Sequence, residues 1–271
     1  MLCVFAHTFP EFVAAFLDRG AALRRRFREE TITDMLMSAL VPAKPFGIYV
    51  DYPDEPTTGA DMQWDFVSRG NWHHFRLLIQ AKLLYPKGAA WSDHSYVQLF
   101  HAVTGTYQAK ILADAARAMA GCFPLYAFYN PGTSCRLASA SGTHSLCGIN
   151  LANGYLMERL VVGARARRRI ALTKKVGTLH PTFGRLADLF CHESPALCPS
   201  PAEIREWLVR WNARAWEEAD LHSKDREIPP VPAVNEKLPD DISFVRDLPI
   251  EPGIPVEVPT PELRRIIFVS P

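Results

Sequence analysis

Asp61, Gln80 and Lys82 are an acid, a carboxamide and an ammonium that the sequence pattern brings together. Residues 60–67 alternate: Asp61, Gln63 and Asp65 point to one face of a strand, and Met62, Trp64 and Phe66 to the other. The turn residues Ser68-Arg69-Gly70-Asn71 follow. Residues 75–84 read as a second strand, apolar except at Arg76, Gln80 and Lys82, which share one face. A buried strand with a Gln and a Lys in its middle breaks the hydrophobic pattern, and function sits at such breaks. What the three side chains can handle is charge.

The elements that must position them follow from periodicity and breakers. Residues 9–28 predict an amphipathic helix ending in the basic run Arg24-Arg25-Arg26. A second helix, residues 30–40, closes before Pro42 and Pro45. Residues 46–52 predict a first strand, followed by the strands of Asp61 and Gln80. Residues 94–121 predict a long helix with Tyr96, Leu99, Phe100, Val103, Tyr107, Ile111 and Leu112 on its apolar face. A β-rich run, residues 123–130, ends at Pro131. The order is helix, three strands, helix, strand, and the fold class is α/β.

Three motifs stand in that order: Glu30-Thr31-Ile32-Thr33-Asp34, then Thr58-Gly59-Ala60-Asp61, then Gln80-Ala81-Lys82. The set resembles the PD-(D/E)xK, or restriction-endonuclease-like, nuclease superfamily in its Gln-x-Lys variant, and is close to an uncharacterised bacterial family of it. The resemblance covers roughly residues 25 to 130. It implies a restriction-endonuclease-like core and hydrolysis of DNA phosphodiester bonds with Mg²⁺ or Mn²⁺, in a setting such as bacterial defence. Carried over residue by residue, Asp61 is the main metal ligand, with Gln80 and the Ala81 carbonyl as further ligands. Lys82 orients the nucleophile, and Glu30 is the helical acid. Such a cation takes hard oxygen ligands and polarises the phosphoryl group. Gln80 offers only a neutral oxygen, so this site has one negative charge fewer than the acidic triplet. The three side chains are expected to meet within a metal shell's width, on the order of 4 to 8 Å.

Structural readings stand beside the functional ones. Lys82 could simply extend its ammonium to solvent, and Glu30 could be a solvated helix residue. Asp65 shares a face with Asp61 and is either a second candidate ligand or a strand-edge charge. Pro53-Asp54 sits in Asp51-Tyr52-Pro53-Asp54-Glu55-Pro56, whose two prolines read as a turn. A second Gln-Ala-Lys, residues 108–110, falls on a helix, where Gln108 and Lys110 diverge by about 200°. It is no second triplet, although Gln108 could face the site. A nuclease fold that has lost its metal, serving as a nucleic-acid-binding or protein-interaction module, is the alternative.

With 271 residues, 48% of them hydrophobic, the chain can bury a large core, which excludes wholesale disorder. The net charge of +1 hides a basic stretch of Arg159, Arg165, Arg167, Arg168, Arg169, Lys174 and Lys175, a candidate phosphate-binding surface or a solvated face. Trp207, Trp211 and Trp216 on a helix over residues 201–220 read as core. Residues 1–135 form the nuclease-like core, and 136–227 complete the same domain. Residues 228–271, with ten prolines, are an extended tail that docks on the domain, a second copy or a system partner. No segment approaches a membrane span. The six cysteines lack CxxC pairs and read as reduced, mostly buried thiols of a cytoplasmic protein. Cys191-His192 with Cys198, or Cys135 with His144 and Cys147, could just compose a zinc site, at spacings matching no common pattern.

Overall fold

The computed structural model describes residues 1–23, 27–51, 58–166, 168–191, 198–219, 228–247 and 264–271. In chain order the elements are α1 (Leu2–Ala22), α2 (Glu29–Leu40), β1 (Ile48–Asp51), β2 (Met62–Ser68), β3 (His74–Leu83), β4 (Ala102–Val103), β5 (Thr106–Tyr107) and α3 (Gln108–Ala118). They continue with β6 (Cys122–Tyr129), α4 (Gly132–Ala140), β7 (Ile149–Asn153), α5 (Gly154–Ala166), α6 (Ile170–Thr173) and α7 (Val176–Leu179). The last are β8 (Gly184–Arg185), α8 (Leu186–Phe190), α9 (Pro201–Glu218) and β9 (Arg265–Ser270).

Seven strands form one mixed sheet in the order β1-β9-β2-β3-β6-β7-β8, so the fold is α/β. β2 and β3 pair antiparallel, with Met62 opposite Ile79 and Asp65 opposite Arg76. β3 and β6 pair parallel, with Gln80 beside Tyr126 and Lys82 beside Phe128. Every residue of β3 and β6 is buried, which fits strands covered on both faces. Trp64, Phe66, Phe190 and Phe268 pack ring on ring at centroid distances of 4.8 to 6.4 Å.

The chain's last strand is inside the sheet. β9 lies between β1 and β2, antiparallel to the first and parallel to the second. The tail therefore docks on its own domain, through backbone pairing as well as its apolar side chains. Gly47 makes room for it: a Cβ there would lie 2.7 Å from the Val269 carbonyl oxygen, and its φ is +81°. A short 3₁₀ segment, Asp240–Asp247, buries Ile242 and Val245 against Tyr49, Val67, Ile267 and Val269.

Other expectations need correction. The first helix begins at Leu2 and ends at Ala22, and Arg24–Arg26 lie outside the described residues. Only the second half of the long helix expected over 94–121 is helical. Residues 91–107 instead form 3₁₀ turns and the β4–β5 hairpin, whose Thr104 (φ 48°) and Gly105 (φ 85°) take left-handed backbone that no helix continues through. The 3₁₀ turns bury Tyr96 and Leu99, so their helix-like spacing records a packed loop. α9 is capped by Ser200 and Glu203 in a reciprocal box, and Trp207, Trp211 and Trp216 are core.

The cysteines are not all reduced. Cys3 and Cys191 form a disulfide across 188 residues of sequence, because α1 packs on α8. That proximity leaves no trace in local spacing. Cys122 and Cys198 are buried free thiols, and Cys135 and Cys147 are half-buried ones. No helix among the described residues is long and apolar enough to cross a membrane.

Candidate active site

Antiparallel register sets Asp61, just ahead of β2, opposite Gln80, and directly paired residues point to the same side. Gln80 donates through Nε2 to Asp61 Oδ2, and the Ala81 N–H donates to the same oxygen at 2.7 Å. The main chain locks this corner: the Asp61 N–H donates to the Ile79 carbonyl at 2.9 Å. Gln80 Nε2 also reaches the Ala81 carbonyl at 3.2 Å. The oxygen of the carboxamide, Gln80 Oε1, is buried and has no hydrogen-bond partner among the described residues.

Lys82 is held rather than exposed. Its side chain is 2% accessible, so it does not run out to solvent. Its Nζ donates to Gln108 Oε1 at 3.1 Å and approaches Glu29 Oε2 at 3.5 Å. Gln108 is the first residue of α3. Lys110, by contrast, pairs with Asp114 on the exposed side of that helix, as the 200° divergence requires.

The helical acid that reaches the strands is Glu29. Its Oε1 accepts the Leu83 N–H at 3.1 Å, while Glu30 is exposed. Arg28, in extended backbone, caps the helix, so α2 starts one residue earlier than its sequence suggests. Successive helical residues diverge by about 100°, and only one of the two acids can turn inward. Thr33, one turn after Glu29, is buried against the Tyr129 hydroxyl at 3.1 Å and fixes α2 to β6.

Burial pushes the Asp61 carboxyl up from its ordinary 3.8 to about 6. The Lys82 charge and the Ala81 N–H oppose that rise, while the negative charges of Glu29 and Glu30 reinforce it. The corner thus holds more negative than positive charge. Tyr126, paired with Gln80 on the neighbouring strand, is fully buried and its hydroxyl has no partner among the described residues. Burial first, then the charges of Asp61 and Glu29, hold that phenol well above its usual range. Glu29 and Tyr126 escape a reading by motif. Tyr126 is findable only from the β3–β6 register.

Asp65 is neither ligand candidate nor edge charge. It is fully buried and accepts from Gln63 Nε2 (2.7 Å), His74 Nε2 (2.8 Å) and Arg76 Nε (2.8 Å). Arg265 of β9 lies 3.4 Å from it, and Asp241 bridges Arg76 and Arg265 at 2.9 and 2.7 Å. Burial raises this carboxyl, but the charges and hydrogen bonds of Arg76 and His74, with Arg265, outweigh it and hold it well below the usual carboxylate range.

The basic stretch divides. Arg165 stacks over the Tyr107 ring at 5.7 Å, one residue from Gln108. Arg159 lies over Trp216 at 5.0 Å, and Lys175 pairs with Asp93 at 2.6 Å. Arg168 and Arg169 are exposed, Lys174 is half-buried, and Arg167 lies outside the described residues, as do Pro53-Asp54 and His192. Seen whole, the arrangement is a half-buried carboxylate, an amide and an ammonium at one end of the central strands β2 and β3, with two arms of support from α2 and α3.

Residues 2–267 match the model of a family described as "Family of unknown function (DUF6615)". The chain belongs to that family, and the match spans the core and the basic stretch and ends within the terminal strand. No curated protein and no solved structure matches it.

Proposed function

We propose that this protein is a divalent-metal-dependent hydrolase of DNA phosphodiester bonds, built on a restriction-endonuclease-like core. The observation that carries the reading is the meeting of Asp61 with Gln80, and of Lys82 with Glu29 and Gln108, at one end of β2 and β3. Support also comes from the chain order α2, β1 to β3, α3, β6, with β3 and β6 as parallel neighbours. β9, between β1 and β2, departs from a simple three-strand succession.

The donor set suits Mg²⁺ or Mn²⁺: the Asp61 carboxylate, the Ala81 carbonyl and the unpartnered Gln80 Oε1 are all hard oxygens. Ligation by Asp61 and Gln80 together needs the carboxamide turned over, which exchanges its N and O. A bound ion would supply Lewis-acid polarisation of a phosphoryl oxygen and a lowered pKa for water. The chain does the rest. Asp61 supplies the charge that holds the ion, and Ala81 and Gln80 orient it. An ammonium has three N–H donors; two of those on Lys82 face Glu29 and Gln108, and the third is left for the attacking water or a phosphate oxygen. Fixed in a buried site, that charge offsets charge developing in the transition state. Arg165, Arg168, Arg169 and Lys174 grip the phosphate backbone beyond it.

One observation favours a second reading. Gln80 Nε2 already satisfies Asp61, as it would in a metal-free module that binds nucleic acid or protein. Linear and supercoiled DNA incubated with the protein in Mg²⁺ or in EDTA separates the two. Cleavage only with the metal, reduced at least about 10²-fold in Lys82→Met, supports the hydrolase. DNA binding without cleavage in either buffer supports the module.

A further inference from the structure

Cys3, near the start of α1, and Cys191, just past α8, are bonded to each other. His7 sits one helical turn after Cys3, and Cβ atoms at i and i+4 stack on one face. A ring nitrogen of His7 and the two sulfurs all lie within 4.8 Å of one another. Two sulfurs and an imidazole are the donors zinc prefers, and hard cations such as Mg²⁺ do not take them. From this juxtaposition we propose that the reduced protein holds a zinc ion at Cys3, His7 and Cys191, and that the ion and the disulfide are alternative occupants of one site. Nothing in this rests on the hydrolase reading.

The geometry asks for little. Tetrahedral zinc with Zn–S near 2.3 Å and Zn–N near 2.0 Å sets its ligand atoms roughly 3.5 to 3.8 Å apart. The sulfurs need only part to that separation, by rotation of two side chains at the ends of their elements. His7 is exposed and Cys191 half-buried, so a fourth position is open to water. On the same helical stripe His7 and Glu11 line a cavity shared with His144 and Arg185. The other four thiols are poorer candidates: burial pushes Cys122, Cys135 and Cys198 up to about 12 and Cys147 to about 11. Of the two zinc combinations suggested by spacing alone, Cys191-His192 with Cys198 shares Cys191 with this site but lacks Cys3 and His7, and Cys135 with His144 and Cys147 shares nothing with it.

The chemistry balances with a dithiol as reductant. The dithiol transfers two electrons and two protons to the Cys3–Cys191 bond, which breaks into two thiols, and leaves as its own cyclic disulfide. Zinc then displaces one proton from each thiol, forming two Zn–S bonds and releasing two protons to solvent. The imidazole of His7 coordinates as the neutral ring.

The test is titration of the full chain, reduced and then freed of reductant under anaerobic conditions, with Zn²⁺ and with Co²⁺ as the spectroscopic probe. One ion per chain is expected, with a thiolate-to-cobalt charge-transfer band, and none in the oxidised protein. Cys3→Ser and Cys191→Ser should abolish the band, and His7→Ala should weaken affinity at least ten-fold. His7 is exposed, so its variant stays folded and decides the matter even where a cysteine variant does not fold. Cys135→Ser and Cys147→Ser should bind as the wild type does. Absence of stoichiometric metal in the reduced wild type overturns the proposal. Binding that His7→Ala leaves unchanged overturns it as well, because the ion then sits elsewhere.

Discussion

Two carboxylates four residues apart, Asp61 just ahead of β2 and Asp65 within it, are treated in opposite ways by their surroundings. Asp65 is enclosed by Gln63, His74, Arg76 and Arg265, with Asp241 closing the ring from outside. Positive charge exceeds what one buried carboxylate needs, and its proton is held off. Asp61 is also screened from water, yet one ammonium stands against it and Glu29 and Glu30 add further negative charge. Its proton is held on by that burial and balance of charge. Buried atoms without hydrogen-bond partners among the described residues do not separate the two acids, since Gln80 Oε1 and the Tyr126 hydroxyl stand near Asp61 and His74 Nδ1 and Arg265 Nε near Asp65. One short stretch of chain thus has one acid arranged for stability and one arranged at a cost in stability. An acid held at such a cost is what the proposed metal site would need.

The largest effect expected from this contrast is on stability. Asp65→Ala leaves Arg76, His74 and Arg265 buried without their shared acceptor and should cost about 3–5 kcal/mol by denaturant unfolding. A loss under about 1 kcal/mol would remove the distinction between the two acids. Asp61→Asn should do the reverse. The folded state keeps the Asp61 proton from pH 3.8 up to about 6 while the unfolded chain releases it, so stability falls as pH rises through that window. Removing the charge should recover about 1–3 kcal/mol at pH 7 while abolishing cleavage and Mg²⁺ binding. For Asp65 the sign is opposite: its contribution is present above the ordinary carboxylate pKa and lost as pH falls through its depressed one.

Lys82→Met sharpens the comparison further. Because Lys82 is buried, an Ala there would open a cavity, whereas Met keeps the stem. Stability should change by less than about 1.5 kcal/mol, and Mg²⁺-dependent cleavage should disappear. Full activity in this variant would move the chemistry elsewhere. Gln80→Glu should raise Mg²⁺ affinity by about ten-fold through the added charge, which calorimetry would read; it should lower the stability of the metal-free protein by about 1 kcal/mol. The smallest effect belongs to the exposed arginines. Arg168→Ala with Arg169→Ala should flatten the dependence of log K on log salt for DNA by roughly 0.9 per lost phosphate contact, at unchanged catalysis under saturation. An unchanged slope would make them a solvated face.

Much of the candidate site was legible because strand alternation is local. The pairs Asp61 with Asp65 and Gln80 with Lys82 follow from period two, and the turn at residues 68–71 fixes which strand they meet across. Gln108 was legible as a residue able to face the site, since the helical period separates it from Lys110. Glu29 was not, because one residue of uncertainty at a helix start rotates the acid by about 100°. β9 was legible as part of a docking tail and not as an inner strand: pairing of Arg265–Ser270 with Gln63–Ser68 is a long-range choice with no local mark. Arg265, which completes the Asp65 ring, was hidden with it. The Cys3–Cys191 contact was hidden for the same reason.

Side-chain carboxyl shifts of Asp61 and Asp65, followed by NMR against pH with and without Mg²⁺, test the contrast most directly. Without the ion, Asp61 should titrate near pH 6 and Asp65 should stay ionised below the usual carboxylate range. Saturating Mg²⁺ should pull the Asp61 midpoint down by at least one pH unit, about 1.4 kcal/mol, and leave Asp65 unmoved. An Asp61 that titrates near pH 4 and ignores Mg²⁺ would contradict the account.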